Sequence, residues 1–244
     1  MTRYIAVAVL AALATLAGCV NADEDQSKGG AGKSAHAKSS DDDSNHSVNG
    51  SIRVTAEQKK DDASTVNGSI HVADNGTVAG AETVNGSIEL GAHAKADELH
   101  TVNGAISLGD DASVARGITA VNGKLTLHTG SEVGGGVSNV NGRITLEAAH
   151  VGGLVKTVSG NIDIGANSHV DGGLLVEREN TDVFWFFHWS SNDVPTITIG
   201  PGAVVQGVLR FERKVHLLVS DTATIGQVVG AVPVKFSGNT PPKE

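Results

Sequence analysis

Short runs of alternating apolar and polar residues recur along most of this chain. From Thr83 the sequence reads Thr-Val-Asn-Gly-Ser-Ile-Glu-Leu-Gly, and residues 101–109 repeat the same pattern. After each Val-Asn-Gly, two apolar residues are separated by one polar residue, which is the period of a strand with one buried face. The pattern predicts short strands with buried pairs Ile52/Val54, Ile70/Val72, Ile88/Leu90, Ile106/Leu108, Leu125/Leu127, Ile144/Leu146 and Ile162/Ile164.

The tripeptide Val-Asn-Gly marks these repeats at a nearly constant interval. Its Asn residues are 18 or 19 positions apart, and a Ser159-Gly160 variant follows at the next interval. So short a period favours one turn of a stack per repeat, and we predict an all-β, single-stranded parallel β-helix (β-solenoid) with coils of about 18 residues. Stacked Asn side chains would then form a hydrogen-bonded structural ladder at Asn49, Asn67, Asn85, Asn103, Asn122 and Asn141.

Asn-Gly is also the strongest signal for a β-hairpin, so an antiparallel sheet of hairpins is the alternative fold. The constant spacing favours the solenoid because hairpins do not require it. In the solenoid, Asn and Gly would tolerate the left-handed backbone of a sharp corner.

A second apolar series lies out of phase with the first. Its members are again 18 or 19 residues apart: Val78, Ala96, Val114, Val133, Val151 and Val170. Together with the Val before each Asn, this series predicts three inward-facing stretches in every coil. A narrow core of this kind explains a chain that is 39% hydrophobic but only 3% aromatic, because large rings would not fit.

The N-terminus predicts export and lipid attachment. An apolar run at 5–17 follows Arg3, and its length is typical of a secretory signal rather than a membrane span. The run ends in Leu-Ala-Gly-Cys19, which resembles a bacterial lipobox. This resemblance implies a signal peptide at 1–18 and a lipidated Cys19; Val20 in place of Asp implies anchoring in the outer membrane of the bacterial cell envelope. The alternative is that this single cysteine is a reactive thiol or forms an intermolecular disulfide.

Composition divides the rest of the chain. Residues 19–46 carry the lipidated cysteine and lack apolar periodicity, so they are predicted to be a disordered tether. The solenoid is expected at 47–238 and a short tail at 239–244. The net charge of -9 argues against a nucleic-acid partner.

One segment interrupts the repeat. Five of the eight aromatic residues lie within it, and the strand pattern resumes at 196–200, so 180–195 is interpreted as an insertion. Its rings predict either a loop that binds a carbohydrate, a protein or a membrane interface, or a flap that covers the solenoid. The residues of the possible binding loop are Phe184, Trp185, Phe186, Phe187 and Trp189.

Candidate chemistry is sparse. Three potential zinc ligands occupy equivalent repeat positions, namely Glu132, His150 and His169. Earlier members of the same column are Thr77, Lys95 and Ser113, which favours a solvated row, and no metal or other cofactor is predicted. The sequence contains no repeated Asp cluster, phosphate-binding loop or Gly-x-Ser-x-Gly motif, so we do not expect an enzyme.

The repeat Thr-Val-Asn-Gly-Ser-Ile-x-Leu, with its variant at 157–164, resembles a bacterial β-strand repeat family that carries an adhesin label. The resemblance covers residues 47 to about 170 and implies a structural or adhesin-like binding module of the envelope. Residues 199–207 are similar to coils of bactofilins, which are polymer-forming β-solenoids, although a secretion signal departs from their cytosolic pattern. A polymer-forming scaffold that self-associates through its solenoid ends, and a solenoid enzyme acting on carbohydrate or an acyl group, remain the alternatives.

Overall fold

The strands of the computed structural model stack into a parallel β-solenoid. The structure describes residues 45–56, 59–178 and 194–238, and this part of the chain is all β and contains no helix. About nine turns follow one another, roughly 19 residues apart. The predicted fold class is therefore confirmed.

Twenty-five strands make up the described solenoid. In chain order they are β1 (Asn45–Ser47), β2 (Ile52–Val54), β3 (Lys59–Asn67), β4 (Ile70–Val72), β5 (Thr77–Asn85), β6 (Ile88–Leu90), β7 (Lys95–Asn103), β8 (Ile106–Leu108), β9 (Ser113–Asn122), β10 (Leu125–Leu127), β11 (Glu132–Val133), β12 (Val137–Asn141), β13 (Ile144–Leu146), β14 (His150–Val151), β15 (Val155–Thr157), β16 (Ile162–Ile164), β17 (His169–Val170), β18 (Leu174–Val176), β19 (Thr196–Ile199), β20 (Val204–Val205), β21 (Leu209–Phe211), β22 (His216–Ser220), β23 (Thr224–Ile225), β24 (Val228–Val229) and β25 (Pro233–Phe236).

The short strands after each Val-Asn-Gly form a ten-stranded sheet together with β16, β19, β22 and β25. Its order is β2-β4-β6-β8-β10-β13-β16-β19-β22-β25, and every neighbouring pair is parallel. Equivalent repeat positions face each other, as Ile70 does Ile88. Hairpins would require antiparallel neighbours, so the hairpin alternative is wrong.

The second sheet, of 15 strands, changes along the stack. Strands β3, β5, β7 and β9 each contain nine or ten residues, whereas later coils carry two short strands in the same place. Both β11 and β12 pair with β9, and the glycines at 134–136 separate them. The register of β9 also shifts opposite Ala96 and Glu98, where one extra residue lengthens the repeat.

The core is built from the two predicted apolar series. Side chains after Asn-Gly are fully buried, with Ile70 and Ile88 both 0% exposed, and the Val78 series is buried as well. Its members are Val78, Ala96, Val114, Val133, Val151 and Val170. Within the described residues the only buried aromatic side chains are Phe211 and Phe236, so the core is narrow and aliphatic.

The Val before each Asn does not face the core, which corrects the sequence prediction. The residue one position earlier is the buried one, as at Thr83 and Thr101, while Val84 and Val102 are only half-buried. Burial of the threonine is tolerated because its hydroxyl donates to a glycine carbonyl of the preceding coil, Thr83 Oγ1 to Gly68 at 2.9 Å. The third inward-facing stretch is therefore a buried apolar residue followed two positions later by the buried threonine, as in Ala81/Thr83 and Leu99/Thr101.

The left-handed corner also lies elsewhere than predicted. It follows the ten-stranded sheet in seven successive coils, with φ between 48° and 72° at Asn75, His93, Asp111, Gly130, Ala148, Asn167 and Gly202. Of the glycines in the six Val-Asn-Gly tripeptides, only Gly142 has a φ in the broad positive region that favours glycine, at +121°. The glycine of the repeat is needed for a different reason, since a Cβ on Gly86 would collide with the carbonyl oxygen of Gly68 in the coil below.

The described solenoid begins slightly earlier than the sequence indicates. Strand β1 starts at Asn45, two residues before the predicted boundary at 47, and pairs with β3. The predicted signal peptide, Cys19, most of the predicted tether, most of the aromatic insertion at 180–195 and the whole of the predicted tail at 239–244 lie outside the described residues.

Candidate binding surface

The predicted Asn ladder runs along the outside of the solenoid. Each Asn Nδ2 donates to the Asn Oδ1 of the coil below, at 3.0, 2.9, 3.1 and 3.1 Å for Asn67, Asn85, Asn103 and Asn122. Asn49 accepts the first of these bonds. Asn141 pairs with Asn122 in backbone register, but among the described residues its side chain makes no hydrogen bond. Five of the six predicted Asn residues thus form one continuous row of amides.

A row of valines lies beside this ladder. Val48 is 64% exposed, and the valines above it are half-buried on the outer face, at Val66, Val84, Val102, Val121, Val140 and Val158. Neighbouring coils place equivalent side chains about 4.8 Å apart. The result is a narrow apolar stripe parallel to the solenoid axis.

A polar row borders the valines on their other side. In register from one coil to the next it contains Ser64, Glu82, His100, Thr119, Ser138 and Lys156. Together the amide row, the valine row and this polar row form a surface that we call the Val-Asn face. Sequence analysis placed the asparagines on it but missed the valines, because it assigned them to the core.

Glu82 is the carboxyl group of the Val-Asn face whose pKa is shifted. Burial raises the pKa of the Glu82 carboxyl; His100 lowers it, and the neighbouring Glu98 and Asp62 raise it further. Glu98 is itself engaged by Arg116 at 3.3 Å and by His100 at 3.6 Å. The face therefore combines hydrogen-bonding groups with one unfavourably placed acid.

A second polar cluster contains the three predicted zinc candidates. Glu132, His150 and His169 are aligned on β11, β14 and β17, as the repeat predicts. His150 Nε2 lies 3.1 Å from one oxygen of Asp171, and His169 Nε2 lies 2.9 Å from the other. Glu132 is farther away, 3.8 Å from His150 Nδ1. Asp171 was missed by sequence analysis, although it replaces the glycine that follows the core valine in the two preceding coils.

Asp171 organises this cluster by accepting from both histidines. The hydrogen bond from His150 and the nearby charges of His150 and His169 lower the pKa of Asp171, although desolvation opposes them. The rings of His150 and His169 meet edge to face, with centroids 5.4 Å apart. Across the part of the chain that the structure describes, no group of three His, Cys, Asp or Glu side chains is arranged to hold a metal ion.

The C-terminal turn presents an apolar patch of its own. Val232 is 83% exposed, Val234 54% and Val229 40%. Val229 lies in β24, Val234 lies in β25 and Val232 directly precedes β25; among the described residues, β24 and β25 are terminal strands of their sheets. This patch lies at an open sheet edge, which can pair with another chain.

Comparisons of this chain with protein-family models, with curated proteins and with solved structures found no match. Over the described ranges, the structure has no helix of the length and apolarity that a membrane crossing needs. The predicted lipidation site Cys19 and the aromatic binding loop at 184–189 lie outside those ranges.

Proposed function

We propose that this protein is a non-enzymatic, lipid-anchored module of the bacterial envelope whose Val-Asn face binds an extended glycan. The observation that supports this proposal is the face itself, on which apolar and amide rows run side by side along the solenoid axis. Cys19 would hold the module at the outer membrane, with the segment before the first strand as a spacer.

The chemistry of the Val-Asn face suits a sugar polymer. The stripe that includes Val84 and Val102 offers an apolar surface to the C–H faces of pyranose rings. The neighbouring Asn amides are exposed, and each retains hydrogen-bonding capacity beyond the ladder for hydroxyl groups. A partner that repeats along its length can make the same contact on each coil, and such contacts together add avidity.

Binding to purified cell-wall glycan tests the proposal by co-sedimentation. The double variant Val84→Ser, Val102→Ser removes apolar contact area from the centre of the face. We expect binding to weaken about five- to thirtyfold, since burying two half-exposed valines against the partner contributes about 1 to 2 kcal/mol. The matched control is Val208→Ser, at a valine that is 43% exposed elsewhere on the solenoid.

Equal loss in the two variants, or unchanged binding in the double variant, would contradict a role for the Val-Asn face. A further protein lacking residues 181–194 separates the two candidate surfaces. If only this deletion abolishes binding, the aromatic segment holds the partner and the proposed use of the Val-Asn face is wrong.

Self-association through the solenoid ends is a second candidate function. It is favoured by the exposed Val229, Val232 and Val234 beside the open edge of the last coil. A chain that stacks end to end should give a ladder of oligomers in size-exclusion chromatography, and Val232→Asp, Val234→Asp should reduce it to monomer. A strict monomer at high concentration would remove this candidate.

A further inference from the structure

The six Asn-Gly pairs of the repeat can deamidate, and their hydrogen bonds in the stacked coils differ from pair to pair. In an Asn-Gly pair the backbone nitrogen of Gly can attack the side-chain amide carbon of Asn, because Gly has no side chain to hinder the approach. We propose that Asn141-Gly142 is a self-modification site, at which intramolecular deamidation converts Asn141 to aspartate and isoaspartate. The ladder protects the interior pairs. This inference is independent of the proposed binding function.

The reaction needs only water. The nitrogen of Gly142 loses its proton and bonds to Cγ of Asn141, the Cγ–Nδ2 bond breaks, and ammonia leaves with that proton. Water then opens the cyclic imide. Cleavage of the bond from Cγ to the nitrogen gives aspartate, and cleavage of the bond from the main-chain carbonyl carbon gives isoaspartate, so one water is consumed for each ammonia released.

Both reacting groups are held in the interior of the ladder. The backbone N–H groups of Gly68, Gly86, Gly104 and Gly123 donate to the Asn carbonyl oxygen of the next coil, at 3.0 to 3.2 Å. Each of the Asn side chains that precede these glycines also donates to the ladder. Attack at an interior pair would require both hydrogen bonds to break at once, so the reaction should be slow there.

Asn141 and Gly142 lack these restraints. Within the described ranges neither the Asn141 side chain nor the Gly142 N–H has a hydrogen-bond partner. The physical cause is the end of the Asn series, because the next coil carries Ser159 in place of Asn and Gly142 adopts a φ of +121°. Asn141 is also partly exposed, so water reaches the imide.

At the other end of the ladder, the Asn49-Gly50 pair is restrained by one hydrogen bond instead of two. The Asn49 side-chain oxygen accepts from Asn67, which restrains the amide, but the Gly50 N–H has no partner among the described residues. The structure therefore ranks the six repeat pairs as Asn141 first, Asn49 second and the four interior pairs last. A seventh Asn-Gly pair, Asn75-Gly76, lies outside the ladder, and its Gly76 N–H donates to the carbonyl oxygen of Ala73 at 2.9 Å.

Peptide mapping of the full-length folded protein tests this ranking. The protein is incubated at mildly alkaline pH and 37 °C, and amide loss at each Asn-Gly pair is followed by tandem mass spectrometry with isoaspartate detection. We expect Asn141 to react at least tenfold faster than Asn67, Asn85, Asn103 and Asn122. A sample incubated in denaturant provides the matched control, in which the six pairs of the repeat should react at similar rates.

The proposal fails if the folded protein loses its interior amides as fast as Asn141. It fails equally if Asn141 stays intact while the denatured sample reacts. Asn141→Gln should remove the signal at this position without changing the rates at the interior pairs, and faster interior loss in that variant would show that Asn141 protects the ladder.

Discussion

At the scale of single residues, the glycine of each repeat is selected by packing. A Cβ added to this glycine would collide with the backbone of the coil below, at Gly68, Gly86, Gly104, Gly123, Gly142 and Gly160. Sequence reasoning assigned this glycine to a left-handed corner, yet most of these positions do not have a positive φ in the left-handed range. The close stacking of coils is what excludes a side chain.

Gly86→Ala should therefore be strongly destabilising. Its new methyl group would meet the carbonyl of Gly68, which is fixed by the stack, so we expect a loss of about 3 kcal/mol in the free energy of unfolding. The neighbouring Ser87→Ala, at an exposed side chain, should stay within about 0.5 kcal/mol of wild type. Urea unfolding of both variants measures the difference, and equal stabilities would contradict the packing argument.

Ala148→Gly should have the opposite effect. Ala148 holds a φ of 48°, a left-handed conformation that costs an L-residue about 1 kcal/mol or more, and glycine adopts it freely. We expect a gain of about 0.5 to 1 kcal/mol in urea unfolding. Ala149→Gly is the control, because that buried neighbour does not have a positive φ, and it should be destabilising.

Two carboxyl groups should give pH dependences of opposite sign. The raised pKa of Glu82 makes its ionised form unfavourable in the folded state, so Glu82→Gln should be more stable than wild type at neutral pH. Because the cost comes from ionised Glu82, the advantage of the variant should shrink as pH falls through the raised folded-state pKa and be lost near the ordinary value of 4.5.

The lowered pKa of Asp171 means that its ionised form stabilises the fold. Asp171→Asn should therefore be less stable than wild type at neutral pH, and this deficit should vanish as pH falls through the folded-state pKa, below 3.8. Thermal unfolding of the two variants across this range measures both effects. Parallel pH profiles for the two variants would contradict the assigned causes.

At the scale of elements, the Asn ladder joins strands that already pair through their backbones. Asn85 donates to Asn67 and accepts from Asn103, so Asn85→Ala should lower the free energy of unfolding by about 1 kcal/mol. Asn141→Ala is the matched control because Asn141 makes no side-chain bond among the described residues, and it should be nearly neutral. A cost as large at Asn141 as at Asn85 would show that the ladder contributes nothing.

The strands were predictable from sequence where the same apolar positions recur in each repeat. The alternation located seven strands of the ten-stranded sheet because Ile, Val and Leu recur in each of the seven repeats read from the sequence. The left-handed corner was not predictable, since Asn75, His93, Gly130 and Ala148 share a backbone conformation but no chemistry. The outward valines were missed because an apolar residue in a repeat suggests the core.

At the scale of the whole molecule, the repeat length predicted the stacking of coils but not the side chains that form its surface features. The column of Glu132, His150 and His169 follows from the repeat alone. Asp171, which joins the two histidines, breaks the repeat and became visible only in the folded structure. Likewise the Val-Asn face depends on which way Val84 and its equivalents point, and a shift of one residue in register reverses that direction.

The stack itself is tested most directly by a distance between two equivalent positions. Cys replaces the exposed Ser51 and Arg143, native Cys19 becomes Ser, and double electron–electron resonance measures the separation of attached spin labels. Five coils of one strand each predict ~24 Å between these sites. A sheet of hairpins, with two strands for every repeat, would give ~48 Å and contradict the solenoid.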